Sequence, residues 1–324
     1  MDTCIAKVEL TALATYLLQR AKLRFLSSRE SSVDVDIYRH GVTLDLRDLE
    51  QKYFAADCVR EPENLLIYLA LAQSGLADCF VDVGANCGHV AASVVDAYRS
   101  LVLFEPNPRL AALLRTIFAD RPHVSIRECA VVGEASRGSI ALTVPVDSSG
   151  LATLGGTELS ALRERANIFE VRAETLENET RDLVLARAYI KIDVEGFEYQ
   201  VIESARDLIV RERPIVGFEA LSKSAAEKCA GLFVDYVYYC ARFDFLEPGG
   251  ALTRSISRLF GAALFGGAVD ILRLSDIGAT TLQNFSQIFS VPREKADIFE
   301  TAIASFVANN PSIDASRLKT WTMA

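Results

Sequence analysis

Cys79-Phe80-Val81-Asp82-Val83-Gly84-Ala85-Asn86-Cys87-Gly88 is an apolar run that breaks into a glycine-spaced turn and then into a helix-like stretch. A strand leading through glycines into a helix opens a doubly wound sheet, where ligands sit beyond the carboxyl ends of the strands. Val102-Leu103-Phe104-Glu105, Ile190-Lys191-Ile192-Asp193 and Ile215-Val216-Gly217-Phe218-Glu219 repeat the pattern of an apolar run closed by an acid. A row of carboxylates on that rim suits a cationic or hydroxyl-rich guest and argues against phosphate.

Outward from this stretch the chain alternates strand and helix. Strands are predicted at 79–83, 101–105 and 124–130, with helices at 88–98 and 107–119 between them. Strand 188–193, a helix near 197–210 and strand 214–219 continue the pattern. Right-handed crossovers then give an α/β fold, a doubly wound and mostly parallel sheet. Residues 131–187 form an insertion with strands Ser139–Val144 and Ile168–Ala173, a polar loop Asp147–Thr157 and a charged helix Glu158–Ala166. A long polar loop beside a sheet is more often functional than structural. Val234–Cys240 and Ser286–Val291 read as closing strands, and 293–309 as a final helix; the Gly-, Ala- and Leu-rich stretch 249–283 gives no clear pattern.

Upstream, residues 3–27 read as a helix with Ile5, Val8, Leu13, Leu17 and Leu18 on one face. That face could pack on the domain or on a second copy of the chain, as a homodimer; Arg20, Lys22 and Arg24 would also suit a membrane surface. Residues 33–47 alternate as a hairpin turning at Arg39-His40-Gly41, and Pro62 and Gly75 bracket a helix that is apolar nearly all round. The expected division is an N-terminal helix-and-hairpin extension (1–60), the sheet domain (61–292) and a C-terminal helical tail (293–324).

Half of the 324 residues are hydrophobic, with mean hydropathy +0.20, which fits a well-buried α/β protein. A net charge of -9 and a pI near 5.1 offer no basic field for a nucleic-acid partner. The cysteines (4, 58, 79, 87, 129, 229, 240) are odd in number and never in a CxxC pair, so they read as reduced core residues of a cytoplasmic protein. No apolar stretch reaches transmembrane length, and no secretion signal is evident.

Gly84 and Gly88 alone are weak evidence, because a dinucleotide fold would use G-x-G-x-x-G. Asp82 discriminates: it would repel a pyrophosphate but could accept a hydrogen bond from an amino group or balance a sulfonium. Glu105 follows Gly84 by 21 residues, near the spacing of the acid that holds ribose hydroxyls in nucleotide-binding sheets. Adenosine, sulfonium and amino-acid tail together describe S-adenosylmethionine.

The segments FVDVGANCGHVA (80–91), LFEPNP (103–108), ECAVVGE (128–134), TLE (175–177), YIKIDVEGFEYQVIE (189–203), RPIVGFE (213–219) and NFSQIFSVP (284–292) resemble, in order and spacing, the FkbM family of class I S-adenosylmethionine-dependent methyltransferases. The resemblance spans roughly 33–292 and implies a seven-stranded, Rossmann-like sheet with its last strand antiparallel. It also implies methyl transfer, usually to a hydroxyl oxygen of a glycan, nucleotide sugar or secondary metabolite. Carried over by residue, Asp82, Gly84, Asn86 and Gly88 would line the methionine end of the cofactor, Glu105 would hold the ribose, and Ala130-Val131 would flank the adenine. Glu177 and Glu134 stand where the family often has Asp, and both keep the charge.

Lys191 and Asp193 are out of place in a buried parallel strand and, two apart, point to one face. One reading is a buried ion pair, with Glu195 and Glu198 favourable at the start of the next helix. In the other, Asp193 takes the proton of an acceptor hydroxyl, Lys191 tunes it or orients a substrate group, and Glu195 and Glu219 also act on the substrate side. Asp193 and Glu219 could share a divalent metal, but nothing in the spacing demands one. His89 opens the helix after Gly88 and could face the ligand, though an exposed or satisfied first-turn histidine is the commoner case; His40 reads as a turn residue and His123 as superficial. Phe233, Tyr236, Tyr238, Tyr239, Phe243 and Phe245 suit core packing better than a stacking wall for an acceptor. A nicotinamide-dependent oxidoreductase and a non-catalytic cofactor-binding scaffold are the alternatives.

Overall fold

A computed structural model describes residues 3–11, 31–55, 61–154, 166–220, 222–245, 267–277, 287–310 and 312–314. The chain begins with strand β1 (Thr3–Thr11), then hairpin β2 (Ser32–Ile37) and β3 (His40–Asp45), helix α1 (Leu49–Ala55) and helix α2 (Pro62–Ser74). The βα core follows: β4 (Cys79–Val83), α3 (His89–Val94), β5 (Ser100–Phe104), α4 (Pro108–Ile117) and β6 (Val124–Arg127). The insertion holds β7 (Ala130–Val131), β8 (Gly138–Pro145), β9 (Thr153–Leu154) and β10 (Ala166–Glu174), and ends in the single turn α5 (Leu176–Glu179). Then come β11 (Ala188–Ile192), α6 (Glu198–Ser204), α7 (Arg206–Glu212), β12 (Ile215–Glu219) and α8 (Lys223–Ala230). The chain closes with β13 (Tyr236–Phe245), β14 (Gly267–Arg273), β15 (Gln287–Pro292), α9 (Ala296–Asn309) and β16 (Ser312–Asp314).

The main sheet runs β16-β1-β14-β13-β15-β12-β11-β4-β5-β6. Strands β6, β5, β4, β11 and β12 are mutually parallel, and β15 is antiparallel to its neighbours β12 and β13. All the predicted strands of the sheet are there, but the expected seven become ten. The additional β14, β1 and β16 extend the edge beyond β13. Strand order reverses at β4, whose neighbours are β5 on one side and β11 on the other, so a crevice opens at their carboxyl ends. Strand β4 is buried throughout, as a central parallel strand must be. Val81, Val83, Ile190 and Ile192 pack into one core, while Phe80 and Tyr189 face the other with Tyr68 and Phe289.

The expected helix at 3–27 is corrected over Thr3–Thr11, which is a strand pairing antiparallel with β14 and parallel with β16. The open edge of β14 supplies hydrogen bonds that no local periodicity reveals, and the β-branched Thr3, Ile5, Val8 and Thr11 suit a strand. Residues 12–27 lie outside the described residues. The hairpin turns one residue earlier than expected, at Tyr38-Arg39, both left-handed, with Ile37 facing His40. Helix α2 is as read: Pro62 occupies its first turn, and Gly75 at φ 71 closes it by donating to the carbonyls of Leu71 and Ala72. The predicted strand 124–130 divides, β6 staying in the main sheet and β7 joining a second sheet of order β7-β10-β8-β9. The predicted helix 197–210 is two helices meeting at Ala205. Charged helix Glu158–Ala166 lies outside the described residues except for Ala166, which begins β10.

Cys79, Cys87, Cys129, Cys229 and Cys240 are buried and in no disulfide, whereas Cys4 is exposed on β1 and does not belong to the core. Among the described residues no helix is long and apolar enough to cross a membrane. The aromatic segment packs as core: Phe233 stacks on Phe218 at 6.0 Å and Tyr239 meets Phe299 at 4.6 Å. The side chains of Phe243 and Phe245 lie outside the described residues.

Candidate active site

The turn after β4 is bound to β5 through the backbone. The Phe104 carbonyl accepts from the N–H groups of both Gly84 (3.1 Å) and Ala85 (2.9 Å). Gly84 sits at φ 91, and a Cβ there would lie 2.0 Å from the carbonyl oxygen of Asp193, so only glycine fits. Asn86 is left-handed at φ 52. Its N–H donates to Glu105 Oε2 at 2.7 Å, and the N–H of Asn107 donates to Glu105 Oε1 at 2.8 Å. Glu105 is thereby fixed with lone pairs remaining on each oxygen, as a ribose diol requires. Burial raises its carboxyl to about 7 against the lowering effect of these two N–H groups.

Asp82 and Lys191 stand in register on adjacent strands. Their floor is aromatic: Phe80 lies 5.2 Å from Tyr189, and the Tyr68 and Tyr189 hydroxyls both donate to Gln287 Oε1. Asp82 is 1% exposed and approaches Lys191 Nζ at 3.3 Å. Both Asp82 carboxylate oxygens nevertheless lack a hydrogen-bond partner among the described residues. Burial pushes this carboxyl up, Lys191 opposes the shift and Asp193 reinforces it. Lys191 also reaches Asp193 at 2.9 Å. Burial alone would lower its ammonium, but Asp193 and Asp82 outweigh it and hold the charge.

Beyond β11, the loop of Asp193, Glu195 (φ 52) and Gly196 (φ 99) is held by Glu198, which accepts from the N–H groups of Val194 and Gly196. Glu219 closes β12 beside it. Burial, then Asp193, raises Glu219 to about 9; burial, then Asp193, Glu198 and Glu50, raises Glu195 to about 7. Carboxylate oxygens of Asp193, Glu195 and Glu219 lie within 4.8 Å of one another, close enough to reach one hard cation. At Asp193, Lys191 already supplies a positive charge.

These groups surround a cavity of about 390 Å³. It is lined by Asp82, Gly84, Asn86, Glu105, Ala130, Val131, Lys191, Asp193, Glu195 and Glu219, so all the expected site residues but one converge. The exception is Gly88, which is not part of the lining. It caps α3 at φ 86, which favours glycine, and a Cβ there would meet the Leu114 side chain at 2.5 Å. Glu134 and Glu177 lie away from the cavity in ion pairs with Arg137 and Arg211. His89 does line the cavity, the ligand-facing one of its two readings, and is buried against Phe54 at 5.6 Å. His123 is half-buried, with Nε2 3.0 Å from the Val95 carbonyl. Leu49, Glu50, Glu61 and Ser149 were not foreseen; for Ser149 the polar loop in the insertion was the available signal.

Free-protein stability has a definite pH dependence. Glu219, Glu195 and Glu105 keep their protons in the folded chain above the range where unfolded glutamates lose them. Their contribution is therefore full below about pH 4.5 and is lost as pH rises through about 7 and then about 9. Melting temperature should fall between pH 7 and 9, and Glu219→Gln should flatten that part of the curve. Equal slopes in thermal melts of both proteins would contradict it.

A strand-turn-helix cradle with acids at the ends of adjacent parallel strands defines a doubly wound α/β domain with a ligand crevice at its switch point. The model of the methyltransferase FkbM domain matches residues 82–245, and the chain belongs to that family. Membership removes the nicotinamide-dependent alternative. Among solved structures, the methyltransferase FkbM from Methylobacillus flagellatus KT shares 14% identity at TM-score 0.34, covering 60% of this chain and 44% of that one. An O-methyltransferase from Bacillus cereus in complex with SAH shares 11% identity at TM-score 0.33, covering 67% and 82%. Precorrin-6y C5,15-methyltransferase from Geobacter metallireducens GS-15 shares 11% at TM-score 0.34, covering 69% and 87%. The chain thus spans under half the length of the FkbM structure, and all three are too distant to bear on function. No curated protein sequence matches the chain.

Proposed function

We propose that the protein transfers a methyl group from S-adenosylmethionine to a hydroxyl oxygen of a small-molecule or glycan acceptor. The observation that carries this reading is Asp82, buried with both oxygens lacking hydrogen-bond partners among the described residues. With Lys191 at 3.3 Å as its counter-charge, this carboxylate still has acceptor capacity to spare, and an α-ammonium group brings donors with the right charge. The residues fit the rest of the cofactor: Glu105 for the ribose hydroxyls, and Ala130 and Val131 as an apolar wall for the adenine.

Bound there, S-adenosylmethionine supplies an electrophilic methyl carbon on a positively charged sulfur. The chain holds the acceptor oxygen in line and removes its proton. Asp193 is the group we assign to that proton. Lys191 at 2.9 Å favours its anion, whereas Glu219, raised to about 9, keeps its own proton near neutrality. Glu195, Glu50 and Glu61 complete an acidic acceptor end that favours neutral, polyhydroxylic or cationic acceptors over those carrying phosphate.

Titration calorimetry with S-adenosylhomocysteine tests the reading. Asp82→Asn should weaken binding by roughly 10- to 100-fold, the worth of hydrogen bonds to a charged group. Lys191 keeps Asp193 as partner, so the fold should survive. Equal affinity in the variant would remove the basis of the assignment. Binding without methylation of any acceptor in a cell extract would leave a non-catalytic scaffold.

A further inference from the structure

The wall opposite the sheet is a strap from the insertion, Ser148 to Leu154, and it is tied down at one residue. Ser149 is buried, and its N–H donates to Asp48 Oδ2 at 2.5 Å. Its hydroxyl lies 3.0 Å from Asp48 Oδ1 and 3.0 Å from Asn86 Oδ1. One hydroxyl proton serves one acceptor at a time, so the backbone bond is the fixed tie and the hydroxyl the adjustable one. Asp48 is itself buried and caps α1 by accepting from the N–H of Gln51 at 3.0 Å. A second tie joins the same segments, since the Leu49 N–H donates to the Asp147 carbonyl at 3.2 Å. Gly150 lies against Glu50, whose Oε1 would be 3.0 Å from a Cβ at that position.

The far end of this linkage is the cofactor turn. Asn86 Oδ1 also accepts from the N–H of Cys87 at 2.6 Å, which folds the side chain back over a left-handed backbone. That backbone aims the Asn86 N–H at Glu105. A residue held in this conformation persists only when its surroundings over-determine it. Ser149 supplies one of those constraints from outside the turn, and Asp48 holds Ser149.

We infer that Asp48 and Ser149 are positioning residues for the donor site, fixing Asn86 and through it Glu105 in the arrangement that receives the ribose. The inference rests on the reading above that the cavity binds S-adenosylmethionine. It brings a residue outside the family-matched segment, Asp48, into the working of the glycine turn. Neither residue touches the proton-transfer end formed by Asp193 and Glu219.

The test is calorimetry of the full chain with S-adenosylhomocysteine, beside thermal melts. Ser149→Ala should weaken binding about tenfold, and Ser149→Thr, which keeps the hydroxyl, should restore affinity to within about twofold of the parent. Asp48→Asn keeps the shape but not the charge, and should weaken binding in the same direction if Ser149→Ala proves unstable. Unchanged affinity in Ser149→Ala, or an equal fall in Ser149→Thr, overturns the inference while binding by the parent protein leaves the cofactor assignment standing. Failure of the parent chain to bind overturns both.

Discussion

Replacing Asp193 with Asn is expected to lower kcat by about 10²- to 10⁴-fold, the usual worth of a positioned general base. Binding of S-adenosylhomocysteine should stay within a few-fold of the parent value. The reason is the division of labour across Lys191. Its ammonium stands between Asp82, 3.3 Å away at the donor end, and Asp193, 2.9 Å away at the acceptor end. An amide at 193 keeps Asp82 and Glu105 in place, and relieves Asp82 of a neighbouring negative charge, but cannot take a proton from a hydroxyl. The measurement is transfer of labelled methyl into an acceptor fraction drawn from cell extract. Undiminished transfer would remove Asp193 as the base and direct attention to Glu195, whose carboxyl at about 7 is suited to proton exchange near neutrality.

Gly84→Ala should be the most damaging single change near the site. Its Cβ would lie 2.0 Å from the Asp193 carbonyl oxygen, a backbone atom that cannot swing away, and φ 91 is hostile to any side chain. Strain of about 1–3 kcal/mol and overpacking of similar size add to roughly 2–6 kcal/mol. At about 2–4 °C per kcal/mol for a large domain, melting should drop by on the order of 10 °C, with cofactor affinity lost alongside. Gly41→Ala is the control, because nothing lies within 4 Å of a Cβ there. A Gly84→Ala protein that melts with the parent would contradict the described turn.

Much of this site was legible along the chain because its chemistry is local. Asp82, Glu105, Asp193 and Glu219 each close or follow an apolar run, and sheet topology brings the ends of such runs together without further information. Pro62 and Gly75 marked α2 for the same reason: a ring-fixed φ and a positive φ are properties of single residues. What was missed depends on distant pairing. Thr3–Thr11 reads as helical until β14 offers an edge more than 250 residues later. Glu50 and Ser149 enter the cavity because α1 and the insertion meet over the turn, and Glu61 because it heads α2; no spacing rule encodes either placement. Gly88, a motif position expected at the cofactor, lies outside the cavity lining and against Leu114.

The near-contact between Gly84 and the Asp193 carbonyl also bears on how such a protein can diversify. The donor cradle and the loop bearing the base are, at that point, one mechanical part: neither main chain can shift without displacing the other. New acceptors must therefore be accommodated by pieces that leave the donor turn alone, namely the side chains of Leu49 and Glu50, the residue Glu61, and the strap beyond Ser149, from Gly150 to Leu154. Grafting those pieces between relatives, while leaving the strand ends alone, is the rational route to altered selectivity.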